Sequence, residues 1–158
     1  METYHVGLMA LAFFALLSFI AYRSWVSKMR KQDDLIQAPQ SLEFSALGEK
    51  SQYVATVFAG RPLDRVVGQG FAHRGKATVL ASPEGVSIFR TGENSFLIPA
   101  QDVLGISQES AVIDRAVETD GLIAIRWNLG GTELQTYLRF VGVSERSVAI
   151  SKLKDLVA

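Results

Sequence analysis

The 158-residue chain contains no cysteine. That absence removes disulfide bridges, thiolate metal centres and cysteine nucleophiles together, and it fits a reducing compartment. Histidine is nearly missing as well. His5 and His73 are the only two, and without thiolates they do not make a zinc centre. Net charge is also lacking, because 16 Lys and Arg residues balance 16 Asp and Glu. With no basic excess, composition supplies no argument for a nucleic-acid partner. No internal repeat is evident.

Charge is missing most completely near the start of the chain. Between Glu2 and Arg23 the only titratable side chains besides tyrosine belong to His5, and Val6 to Tyr22 is almost entirely Leu, Ala, Phe, Met and Ile. About 20 such residues in helical form span a bilayer. A cleaved secretory signal needs a basic beginning and a small-residue cleavage site. Here the first residues carry no Lys or Arg, and Ala21-Tyr22-Arg23-Ser24-Trp25 is a poor cleavage site. The segment is therefore expected to remain as a transmembrane anchor over residues 1–26. Arg23, Lys28, Arg30 and Lys31 follow it immediately, and the positive-inside rule places that flank in the cytoplasm, with the N-terminus outside. Tyr4, Tyr22 and Trp25 stand near the two ends, where interfacial aromatics belong. Asp33 and Asp34 follow the basic residues, so these read as an orientation signal rather than a lipid-binding patch.

Residues 27–50 are rich in Lys, Arg, Gln and Asp. They are expected to continue the helix, break near Pro39 and become a linker. From Ser51 the hydrophobic period changes to two. Seven short strands follow: Tyr53–Phe58, Lys76–Ala81, Val86–Arg90, Ser95–Ile98, Val103–Ile106, Leu122–Leu129 and Thr132–Phe140. Ser82-Pro83-Glu84-Gly85 and Gly130-Gly131 supply turn chemistry between them. Such an array makes a sandwich or a small barrel. The last segment differs. Ser144 is placed to cap a helix whose Ala149, Leu153 and Leu156 share one face, joined by Ile150 and Val157. A helix of that kind can plug the open end of a partly closed sheet. Residues 51–158 thus form one mainly β domain of roughly 110 residues, an ordinary domain size.

Several segments resemble a known family. They are Tyr53-Val54-Ala55-Thr56-Val57-Phe58-Ala59-Gly60, Pro62-Leu63-Asp64-Arg65-Val66, Arg74-Gly75-Lys76-Ala77-Thr78-Val79, Pro83-Glu84-Gly85-Val86 and Ile98-Pro99-Ala100-Gln101-Asp102-Val103. With the single N-terminal span, they are similar to actinobacterial membrane-anchored proteins with a pleckstrin-homology-like (PH-like) domain. The resemblance implies a seven-stranded partly open barrel capped by a C-terminal helix, in a single-pass protein of the plasma membrane. It carries no catalytic residues with it. In lipid-binding PH domains, basic residues around the first hairpin grip an inositol phosphate. The basic cluster here is Arg61, Arg65, His73, Arg74 and Lys76; it departs from that pattern in spacing and has Asp64 among its charges, so it reads first as solvated surface and second as a headgroup or partner site.

Other motifs carry less. Gly70 to Lys76 has the spacing of a phosphate-binding loop, but Ala77 stands where a magnesium-holding Ser or Thr is needed, and Thr78-Val79-Leu80 reads as strand rather than helix. The segment reads instead as a flexible glycine-rich loop. His73 and Asp64 have no nucleophile elbow to join. Trp127 falls on the apolar face of its strand and reads as core. No catalytic residue, cofactor or metal is expected. The leading reading is a non-catalytic binding or scaffold module on the inner membrane face, with a protein partner that is a membrane complex or a recruited enzyme. The alternatives are an accessory subunit of a larger membrane complex and a sensor of anionic headgroups through the basic cluster. In the accessory reading, Gly7, Ala10, Ala12, Ala15 and Ser18 allow close helix contact.

Overall fold

The structure, a computed structural model, describes residues 2–109, 111–112, 115–116 and 121–157. A single helix, α1 (Glu2–Leu35), contains the apolar segment and continues 13 residues past Tyr22. It is long and apolar enough to cross a membrane, and its hydrophobic window is wholly unburied. The strands follow as β1 (Gln40–Leu42), β2 (Glu49–Phe58), β3 (Arg61–Arg65), β4 (Gly75–Ser82), β5 (Gly85–Arg90), β6 (Ser95–Pro99), β7 (Val103–Glu109), β8 (Ala111–Val112), β9 (Arg115–Ala116), β10 (Leu122–Leu129) and β11 (Thr132–Phe140). Helix α2 (Val143–Asp155) ends the domain.

The seven expected strands are β2, β4, β5, β6, β7, β10 and β11. They run antiparallel in the order β6-β5-β4-β2-β11-β10-β7, with β1 added beside β6 and β3 beside β2; β8 and β9 pair separately. β2 organises this open sheet. One edge pairs with β11 along almost its whole length, while the other pairs first with β4 and then with β3. Gly130 and Gly131 both have positive φ, at 57° and 90°. A two-residue hairpin of the mirror-image type requires that, and it matches the twist of β10 and β11.

A bulge at Val54 shifts the register between β2 and β11. It reverses the inward–outward alternation, so Tyr53 and Thr56, three residues apart, both face the core. The Tyr53 hydroxyl lies 2.8 Å from Thr56 Oγ1 and 3.2 Å from the Phe71 carbonyl. Thr56 Oγ1 lies 2.9 Å from Thr136 Oγ1, which accepts from Trp127 Nε1 at 3.0 Å. This chain of hydrogen bonds gives Tyr53, Thr56, Trp127 and Thr136 partners within the core. Around it Tyr53, Phe71, Phe96 and Trp127 pack ring to ring, with centroids 5.2–6.5 Å apart. Trp127 is core, as its alternation indicated.

Helix α2 packs on β2, β4, β7 and β11 and buries Ala149 and Leu153. Full burial of one such leucine stabilises by about 2 kcal/mol. Its start differs from expectation. The N-cap is Gly142, in an extended conformation, and Ser144 lies inside the first turn. The Ser144 hydroxyl donates to Glu145 Oε2 at 3.1 Å rather than capping a backbone amide. Parts of residues 36–50 contact the domain. Ile36 belongs to the main core cluster, β1 pairs with β6, and β2 already begins at Glu49.

Candidate functional site

The C-terminal end of α1 does not hang free of the β domain. Gln32 is buried, and its Oε1 accepts from the amides of Val67 at 2.6 Å and Gly68 at 3.0 Å. Its Nε2 donates to the Arg65 carbonyl at 3.4 Å. One turn of irregular chain thus has its backbone groups satisfied by a single helical glutamine. Asp33 Oδ1 accepts from the amide of Gln69 at 2.6 Å. Gln69 returns the contact: its Nε2 donates to the carbonyls of Asp33 and Ile36, at 3.0 and 3.1 Å. Those are helix-end carbonyls that would otherwise lack partners. Gln69 is the one non-glycine residue with positive φ among the described residues, at 52°. The strain of that conformation, of order 1 kcal/mol, is offset by the three hydrogen bonds it allows. Gly68 is required for closeness: a Cβ there would lie 2.7 Å from Asp33 Oδ1.

Beside this contact a cleft of about 720 Å³ separates α1 from the domain, a volume within the range of ligand sites. Trp25, Met29 and Asp33 form its helical wall, spaced four residues apart and so on one face. Pro39, His73, Glu93, Asn94 and Phe96 are among the residues opposite. Two carboxylates line it and no Lys or Arg does. It suits a basic or amide-rich ligand better than an anion.

Arg90 does not line the cleft but braces two residues that do, Gly70 and His73. Its guanidinium is buried and donates to the Gly70 carbonyl at 2.7 Å and the His73 carbonyl at 2.5 Å. It lies 4.2 Å from the centre of the Tyr53 ring, a cation–π distance. Burial lowers its affinity for the proton, while Tyr53 and Glu93 act in the opposite direction. Burial likewise pushes the Tyr53 hydroxyl up to about 12, against the hydrogen bond to Thr56 and the nearby Arg90 and Arg65. The glycine-rich segment is consequently clamped. Phe71 is in the core, and Arg90 grips the carbonyls on either side of it. The expectation of a flexible loop is corrected by that buried ring. Sequence could have flagged Arg90, because it continues the alternation of the buried Val86 and Ile88.

The five basic residues singled out from the sequence do not line one cavity. His73 lines the cleft beside α1. Arg74 and Lys76 line a separate depression of about 240 Å³ with Gln52, Tyr53 and Val54. Arg61 pairs with Asp64 at 3.2 Å and lies 4.8 Å from the Phe58 ring centre. Arg65 turns inward and donates to the Val54 carbonyl at 3.3 Å. The basic residues of α1 also divide: Arg23, Arg30 and Lys31 share one surface, whereas Lys28 meets Asp64 at 3.6 Å. β4 follows the glycine-rich segment directly, so no helix N-terminus faces it. Among the described residues, no three His, Asp or Glu side chains stand close enough to hold a metal ion.

The family model described as bacterial PH domain-like matches residues 32–154. The chain belongs to this family. The PH-like match begins at Gln32, the residue that docks α1, and ends within α2. No curated protein and no solved structure matches the chain.

Proposed function

We propose that this protein is a non-catalytic binding module, held by α1 on the cytoplasmic face of the plasma membrane, that presents its PH-like domain in one orientation to a protein partner. The observation that carries this reading is the docking of Gln32, Asp33 and Ile36 into the domain. A flexible tether would only raise local concentration. A docked helix also orients the domain. The cleft beside it, with Asp33 and Glu93 in its walls, suits a basic segment of a membrane complex or of a recruited enzyme. The test is purification of the full-length protein in mild detergent, comparing wild type with Ala72→Trp, which fills the cleft. A stoichiometric protein retained by wild type and lost from the variant supports the reading. Retention of no partner, or equal retention by both, argues against the cleft. A reporter fused after Ala158 tests the topology, and a domain on the outer, extracytoplasmic side would sink the proposal.

The second reading is an anionic headgroup sensor, favoured by the shared placement of Arg74 and Lys76 in one depression. It predicts salt-sensitive binding of the soluble domain to anionic vesicles, lost on changing both residues to Ala. Asp64 neutralises part of the neighbouring charge, and the expected outcome is weak, unspecific attraction.

A further inference from the structure

The contacts between α1 and the segment after β2 run in step. Gln69 meets Asp33, Gly68 and Val67 meet Gln32, the Arg65 carbonyl meets Gln32, and Asp64 meets Lys28. Going backward along β3 therefore goes up the helix toward the apolar span. Leu63, Pro62 and Arg61 come next on that path. A span of about 20 residues beginning at Val6 ends near Trp25. Lys28 then lies about 4.5 Å beyond the hydrocarbon edge, at 1.5 Å per residue. The interfacial layer on each side of a bilayer is about 5–7 Å thick. Asp64 is thus at headgroup depth, and the residues before it are at that depth or closer to the hydrocarbon.

We infer that β3 is a second membrane contact, in which Leu63 and Pro62 rest at the boundary between headgroups and hydrocarbon beside α1. This rests on the reading that α1 spans the bilayer. Leu63 is 80% exposed, the most exposed leucine of the β domain, and Arg61 and Pro62 beside it are exposed too. Pro62 has no amide proton to bury unpaired. The charges are compatible. Asp64 is paired with both Lys28 and Arg61, so the trio presents one net positive charge to an anionic leaflet. The Arg61 guanidinium lies over the Phe58 ring, 4.8 Å from its centre, a cation–π contact that keeps the charge beside an aromatic face at the edge of the domain. This contact needs no headgroup recognition. Its effect is to fix the rotation of the domain about α1 and to turn α2, which packs where β2 begins, away from the bilayer.

The lack of cysteine makes the test direct, since a single introduced thiol is unique. Full-length Leu63→Cys, labelled with an environment-sensitive fluorophore, is reconstituted in vesicles of phosphatidylcholine and phosphatidylglycerol that contain a lipid with a shallow spin-label quencher. Leu47→Cys, in the exposed connection before β2, and Ile20→Cys, inside the span, serve as references. The expected result is a blue-shifted probe at position 63, quenched several-fold more than at position 47. Equal water exposure at 63 and 47, with quenching at 20, would overturn this inference alone. Loss of quenching at 20 as well would overturn the spanning reading and this inference with it.

Discussion

Two helices close the β domain, and they do so by different physics. α2 meets it where β2 begins, next to Glu49, which Lys152 contacts at 2.9 Å. Its contact is apolar, built on Ala149 and Leu153. α1 meets the domain near the other end of β2, where β3 and the following turn lie. Its contact is mostly hydrogen-bonded, through Gln32, Asp33 and Gln69, with Ile36 as the apolar pin. Apolar burial is tolerant of small displacements, because it has no direction. Hydrogen bonds to backbone amides are directional and hold one geometry. The first contact suits stability, and the second suits a fixed orientation of the domain relative to α1.

The largest expected effect breaks the apolar side. Leu153→Asp would place an unpaired charge in the core and cost about 4 kcal/mol. Urea denaturation of the β domain should register the loss, and an unchanged midpoint would show that α2 does not pack as described. Next is Gln32→Leu. It strands the amides of Val67 and Gly68, at a cost of about 2–3 kcal/mol. Unlike the first variant, it should undock α1 while leaving the core folded. Amide exchange at Val67 and Gly68 should accelerate, with amides of β10 and β11 unchanged. Exchange that accelerates everywhere would mean that the two contacts are one cooperative unit. Truncation sharpens the same comparison. A protein starting at Ser27 retains Ile36 and β1, and one starting at Ser45 lacks both; the first should be the more stable.

Sequence showed one of these contacts and concealed the other. The stripe of Ala149 and Leu153 has helical spacing, and so α2 and its buried face were legible. The end of α1 was not, because Gln32-Asp33-Asp34 has the composition of a solvated segment. Its burial depends on the bare amides of Val67 and Gly68, which no side-chain pattern records. The strands were legible by alternation, but the bulge at Val54 was not. Without it Tyr53 and Thr56 would face opposite sides, and the hydrogen-bonded chain to Trp127 would not form. The placement of the basic cluster was hidden in the same way. Basic residues close in sequence were grouped, whereas the turns between β2 and β4 send His73 to one cavity, Arg74 and Lys76 to another, and Arg65 inward.

The smallest effect at neutral pH is expected from Tyr53→Phe, which removes contacts to Thr56 and to the Phe71 carbonyl and should cost about 1 kcal/mol. Its value lies at alkaline pH. The Tyr53 hydroxyl is held up to about 12 from an ordinary value of 10.0, chiefly by burial. The folded state therefore binds this proton more tightly than the unfolded state. The associated stability is complete below about pH 10 and is lost as pH rises toward about 12. The Phe variant has no such proton to lose at this position, so its stability should fall less steeply over that window. The deficit relative to wild type should shrink as pH rises. Because Arg90 lies against the Tyr53 ring and grips the Gly70 and His73 carbonyls, the disturbance should appear first on the α1 side. Amide exchange at Phe71 should rise with pH, beyond the intrinsic hydroxide dependence, before that at Leu153. The reverse order would place the alkaline weak point at α2 and remove Tyr53 from the account.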